Sequence, residues 1–109
     1  MIHKMKLVNF SFEEIKSGRK DIEVRLNDSK RQLIKIGDII EFSHIDTGEL
    51  LSVKVINLYK YNTFKELFDK FDYVRLGLKD RDTYEIMNKF YTKEEQEKYG
   101  ALGIEIKLI

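Results

Sequence analysis

The chain has no cysteine, no proline and no tryptophan among its 109 residues. Without cysteine there is no disulfide framework, no thiol nucleophile and no zinc–thiolate site. Two histidines, His3 and His44, are too few to suggest a metal centre. Neither sits in a partner motif, so both read as ordinary polar residues rather than catalysts. Without proline, turns must come from Gly, Asn and Asp, and sheet edges lose one means of being blunted. No apolar stretch approaches the ~18 residues of a membrane span. The opening Met1-Ile2-His3-Lys4-Met5-Lys6 lacks the long apolar core of a signal peptide. The expectation is a cytoplasmic, soluble protein with no cofactor. No linker, repeat or low-complexity segment interrupts the chain, and its length suits one domain spanning residues 1–109.

What is present is a feasible small core and a dense charge coat. Apolar residues make up 42% of the chain, and seven Phe and six Tyr supply large areas to bury. Charged residues make up 36%, yet the net charge is only +1, which excludes a polycation that coats nucleic acid indiscriminately. The distribution is uneven. Residues 16–35 carry seven cations against three anions, a net excess of four. Such a stretch is either a solvated edge or a local phosphate-attracting patch.

Alternation of apolar and polar residues predicts a strand at about 4–8. Ser11-Phe12-Glu13-Glu14 has the form of a capping box, followed by a short helix that Gly18 would end. In the next strand Ile22, Val24 and Leu26 share one face and Asp21, Glu23 and Arg25 the other. Ile34 and Ile36 suggest a short extended segment. Strands at 39–42 and about 50–60 follow, joined by an Asp46-Thr47-Gly48 turn. Thr63-Phe64-Lys65-Glu66 is a second capping box, and Phe64, Phe68 and Phe71 have the spacing of a helix that packs on a core. Tyr73 and Arg75 fall in a looser region able to cover a cleft. Asp82 is positioned to cap a further helix, Thr92-Lys93-Glu94-Glu95 opens another, and 102–109 alternates as a final strand. The order β-α-β-(β)-β-β-α-α-α-β lacks repeating crossovers. The fold class is α+β: a small mixed or antiparallel β-barrel flanked by short helices.

The run Gly18-Arg19-Lys20-Asp21-Ile22-Glu23-Val24-Arg25 stands out, because a structural strand has no need of Glu23 and Arg25 side by side. At i and i+2 they sit roughly 7 Å apart on one face. As a surface ion pair they would be worth ~0–1 kcal/mol. As a site, Arg25 offers a planar fork to phosphate or carboxylate, and Glu23 accepts from a base edge. Strict alternation would aim Lys20 at the apolar side, so an irregular helix-to-strand turn is expected to lift it into a cleft mouth. Arg19 reads as a solvated neighbour, and Asp38 as a turn residue that bonds backbone amides. Tyr91 and Tyr99 either stack a base, worth ~1–3 kcal/mol, or pack against the barrel.

These residues resemble the ASCH domain, a branch of the PUA-like superfamily. The resemblance rests on Gly18-x-Lys20-x-x-Glu23-x-Arg25, Gly37-Asp38-x-Ile40-x-Phe42, Thr63-Phe64-x-x-Leu67 and Tyr91-Thr92-x-x-Glu95-x-x-x-Tyr99-Gly100-x-x-Gly103-Ile104. It implies a small β-barrel with a cleft at its side, lined by the first motif, and an RNA or nucleotide ligand. One branch of the family comprises amidohydrolases acting on acetylated cytidine, with a threonine nucleophile and a lysine base. Lys20 matches that lysine, but Glu23 stands where the threonine would be, and a carboxylate cannot replace a hydroxyl nucleophile. Two readings follow. The first is an RNA- or nucleotide-binding module using Lys20, Glu23, Arg25, Tyr91 and Tyr99. The alternative is a small hydrolase of modified nucleosides or RNA, with Lys20 and Glu23 as its acid–base pair.

Overall fold

The computed structural model describes residues 1–109. Strand β1 (Ile2–Leu7) leads into helix α1 (Asn9–Lys16), strand β2 (Ile22–Leu26) and a 3-10 turn at Arg31–Leu33. Strands β3 (Ile39–His44) and β4 (Leu50–Tyr61) follow, then helix α2 (Phe64–Lys70), a 3-10 segment at Tyr84–Lys89, helix α3 (Lys93–Tyr99) and strand β5 (Ala101–Leu108). The sheet order is β1-β3-β4-β5-β2. Only β1 and β3 run parallel; the other three pairings are antiparallel. The sheet curls into a half-barrel with short helices, in keeping with the α+β, mixed-barrel expectation. Its two edge strands, β1 and β2, do not join by a ladder.

The apolar side chains divide into two cores. One lies inside the curl and unites Leu7, Phe12, Ile15, Phe42, Val53 and Ile104 with their neighbours. The other packs Phe64, Leu67, Leu76 and Met87 against Ile22 and Leu26 on the outer side of β2. Both faces of β2 are therefore covered. Glu23 stands opposite Ile104 in the ladder, and cross-strand partners share a face. The polar face expected at Asp21, Glu23 and Arg25 thus turns inward at its centre.

Several local expectations change. Helix α1 begins two residues before Ser11, and Val8 caps it without a side-chain bond. At this start the His44 Nε2 lies 2.9 Å from Asn9 Oδ1. His44 Nδ1 accepts the Asp46 and Thr47 amides, so Nε2 carries the proton that it donates to Asn9. The segment around Ile34 and Ile36 is a 3-10 turn with extended backbone after it, not a strand. Thr83, not Asp82, caps the segment at 84–89; the Asp82 carboxylate instead accepts the Lys79 amide in the preceding turn. Thr92 and Glu95 do form the reciprocal capping box, and Thr63 accepts the Glu66 amide. A β-bulge between Val55 and Asn57 bends the long strand β4 and sharpens the curl. No helix is long and apolar enough to cross a membrane.

Candidate functional site

Helix α1 ends in a turn that delivers Lys20. Gly18 takes φ +85°, a left-handed conformation that suits glycine. The Ser17 hydroxyl and the Lys20 amide both donate to the Glu14 carbonyl, at 3.0 and 2.9 Å. Arg19 is thrown outward and pairs with Glu14 at 2.6 Å, while Lys20 turns inward and is only 6% exposed. Gly77, at φ +71°, lies over the Lys20 stem; a Cβ there would overlap Lys20 Cδ. The loop carrying Gly77 is tied to β2, because the Arg75 carbonyl accepts the amides of Asp21 and Ile22 at 3.1 and 3.0 Å.

Three ionic side chains then meet. Lys20 Nζ lies 2.7 Å from Glu23 Oε1, and Arg25 Nε donates to Glu23 Oε2 at 2.7 Å. Glu23 retains 4% side-chain exposure and Arg25 16%, so this is a buried triad rather than a surface pair. Arg25 Nη2 also donates to the Lys6 carbonyl at 3.1 Å, bridging the gap between β2 and β1. Burial alone would push the Glu23 carboxyl up. The two cations outweigh it and hold the group down at about 2. For Arg25, burial opposes the charge, and the Glu23 carboxylate overrides it and raises the pKa. Glu23 is thus ionised at neutral pH and too weak a base to move protons efficiently.

The triad forms part of the wall of a cavity of about 670 Å³ at the seam of the half-barrel. Its lining includes the cations Lys6, Lys20, Arg25, Lys79, Arg81 and Lys89 against the anions Glu23 and Asp82. Tyr91 also lines it, with its ring stacked on Phe64 at 5.9 Å between centroids and 6° between planes. Tyr99 does not. It lies in the last turn of α3 and borders a separate groove of about 310 Å³, with Lys98 Nζ 5.1 Å from its ring centroid. Of the residues singled out in the sequence, Lys20, Glu23, Arg25 and Tyr91 line one cavity and Tyr99 another. Tyr73 is exposed, and Arg75 turns away to Asp21 and Glu105.

Other lining residues carried no motif in the sequence. Phe10 and Phe90 are large aromatics left 41% and 65% exposed, and both border the cavity. Lys79 Nζ lies 5.3 Å from the Phe10 ring centroid. Lys79, Arg81 and Lys89 arrive from the segment that follows α2.

The model of the ASCH domain family matches residues 5–109. The chain belongs to the ASCH domain family. A crystal structure of the hypothetical protein PH0355 shares 39% identity with this ASCH domain, covers all of both chains and superposes with a TM-score of 0.87. The solution structure of protein PF0455 from Pyrococcus furiosus shares 35% identity, over 100% of this chain and 98% of that one, with a TM-score of 0.78. The ZmASCH protein from Zymomonas mobilis is 12% identical, with 97% of this chain and 67% of that one aligned and a TM-score of 0.61; it shares the fold. No curated protein matches the sequence.

Proposed function

We propose that this ASCH domain binds single-stranded RNA or a nucleotide-like ligand in the seam cavity. The observation that carries this reading is the lining itself: six cations against two anions, with solvent-exposed Phe10 and Phe90 at hand for bases to stack on. Cationic grooves with stacking aromatics are the usual means of holding single strands. Glu23 fixes Lys20 and Arg25 in place, and their remaining N–H donors meet phosphate or carbonyl oxygens. The triad carries one net positive charge, so an anionic group completes it.

Fluorescence anisotropy with short RNAs and free nucleotides, at two salt concentrations, tests the reading. Binding tighter than millimolar at low salt, weakened by added salt, is expected. Arg25→Ala weakens it by ~1–3 kcal/mol, with circular dichroism as the control for folding. Absence of binding for every ligand at low salt overturns the proposal.

Hydrolysis of a modified nucleoside is the second reading. Ser11 lines the same cavity as Lys20, and its side chain supplies the hydroxyl that Glu23 cannot. Chromatography after incubation with acetylated cytidine decides it. Product that disappears with Lys20→Ala and with Ser11→Ala favours the hydrolase.

A further inference from the structure

Strand β1 pairs with β3 on one side only, and its other edge faces the open seam. Two hollows follow one another along that edge. The main cavity touches Lys6, Leu7 and Val8, and a second hollow of about 290 Å³ touches Ile2 through Met5. Met5 and Leu7 point into the core while Lys4 and Lys6 are exposed, so the two lysines stand on one face, roughly 7 Å apart. One is at each hollow.

The far wall of the second hollow is formed by Lys30, Arg31, Leu33 and Ile34. Its lining holds the cations Lys4, Lys30 and Arg31 and no carboxylate. The nearby anions are already engaged: Asp28 with Arg31 at 2.8 Å, and Asp38 with His3 at 2.8 Å and with the N-terminal ammonium at 3.3 Å. The main cavity offers the exposed rings of Phe10 and Phe90 in its wall; the second hollow offers cations, aliphatic side chains and the His3 imidazole, which is engaged with Asp38. That division suits a base in the first and a phosphate in the second.

We infer that the second hollow is a backbone-phosphate subsite of the same groove, so the ligand is an RNA strand running along β1 rather than a single nucleotide. This rests on the RNA-binding reading and extends it. A row of cations on a strand edge matches a polymer with repeating phosphates, whereas one mononucleotide would leave the second hollow unused.

The test compares a random-sequence RNA hexamer with the four nucleoside monophosphates by anisotropy and competition, using the wild type and the double variant Lys4→Ala/Lys30→Ala. Both lysines are exposed and neither lines the main cavity, so the fold is retained and circular dichroism checks it. The hexamer is expected to bind about tenfold tighter than any monophosphate. The double variant weakens the hexamer and flattens its log–log salt slope by about 1.4, at roughly 0.7 for each phosphate of a single strand that is no longer neutralised. Monophosphate binding stays unchanged. Equal affinity for hexamer and monophosphate, an unaltered salt slope, or an acidic peptide of equal charge competing as well as RNA each overturns the inference while leaving the main cavity's role intact. Absence of binding for hexamer and monophosphates alike removes both.

Discussion

Strand β2 and its leading residue carry a carboxylate–guanidinium pair on each side, and the two pairs live in opposite surroundings. On the outer side Asp21 meets Arg75 at 2.9 Å with side chains 38% and 40% exposed. On the inner side Glu23 meets Arg25 at 2.7 Å with 4% and 16% exposed, and Lys20 adds a second cation at 2.7 Å. The outer pair is screened by water and worth little. The inner cluster forfeits hydration for three charges, and an apolar residue like its ladder partner Ile104 would fill that place at no such cost. Similar distances thus serve different ends. The outer pair clips the loop at 72–82 to β2, helped by Tyr59 and Arg75 converging on Glu105. The inner one holds two cations at the wall of a cavity.

The sharpest way to break this contrast is to remove the shared anion. Glu23→Ala leaves Lys20 and Arg25 buried together with no counter-charge, and a loss of ~3–5 kcal/mol in urea unfolding is expected. A loss below ~1 kcal/mol would show that the inner pair is as dispensable as the outer.

Acid titration separates the pairs next. Glu23 is held at about 2 in the folded chain, below its ordinary value of 4.5. A depressed folded-state pKa means that the unfolded chain binds the proton more readily. The stability from this group is therefore present in full above about pH 5 and is lost as pH falls from there toward 2; it amounts to ~3 kcal/mol. Asp38, held at about 2 chiefly by its bond to His3, titrates in the same window. Comparing wild type with Glu23→Gln isolates the buried group: the variant's stability falls less steeply below about pH 5. Parallel acid limbs would contradict the assignment.

A third probe tests the packing over Lys20. Gly77→Ala forces a side chain into a position of φ +71° and onto the Lys20 stem. It is expected to cost ~1–3 kcal/mol and to weaken ligand binding, both measured on the same preparation. Full stability and full affinity together would show that Lys20 has room to move.

The smallest effect belongs to the outer pair. Asp21→Asn should change stability by less than ~1 kcal/mol, with the change shrinking in high salt. A salt-insensitive loss of several kcal/mol would erase the distinction between the two sides of β2.

Much of the architecture was legible from local chemistry. The helix starts at Thr63 and Thr92 were readable because their cap partners lie three residues away. The alternation in β5 and the long β-rich run of β4 were readable for the same reason. The local pattern misleads at the first helix: Ser11 looks like a cap, but the helix already begins at Asn9, whose side chain meets His44, 35 positions along. The site divides likewise. Lys20, Glu23 and Arg25 form a contiguous motif. Phe10, Lys79, Arg81 and Phe90 join them only because α1 and the loop after α2 close over the same seam. Tyr99, close to Tyr91 in sequence, faces another groove.

The sequence by itself determined the five strands of the sheet, the helix starts at Thr63 and Thr92, and that cations and a carboxylate cluster near Gly18. These follow from spacing, capping and side-chain period, all of which act over a few residues. Only the tertiary structure decided that Glu23 is buried, because burial depends on both faces of β2 being covered: by the inner core around Ile104 on one side and by Phe64, Leu67 and Met87 on the other. Coverage from both sides takes the charges out of water, and it is a property of elements that lie some 40 to 80 residues away in the chain.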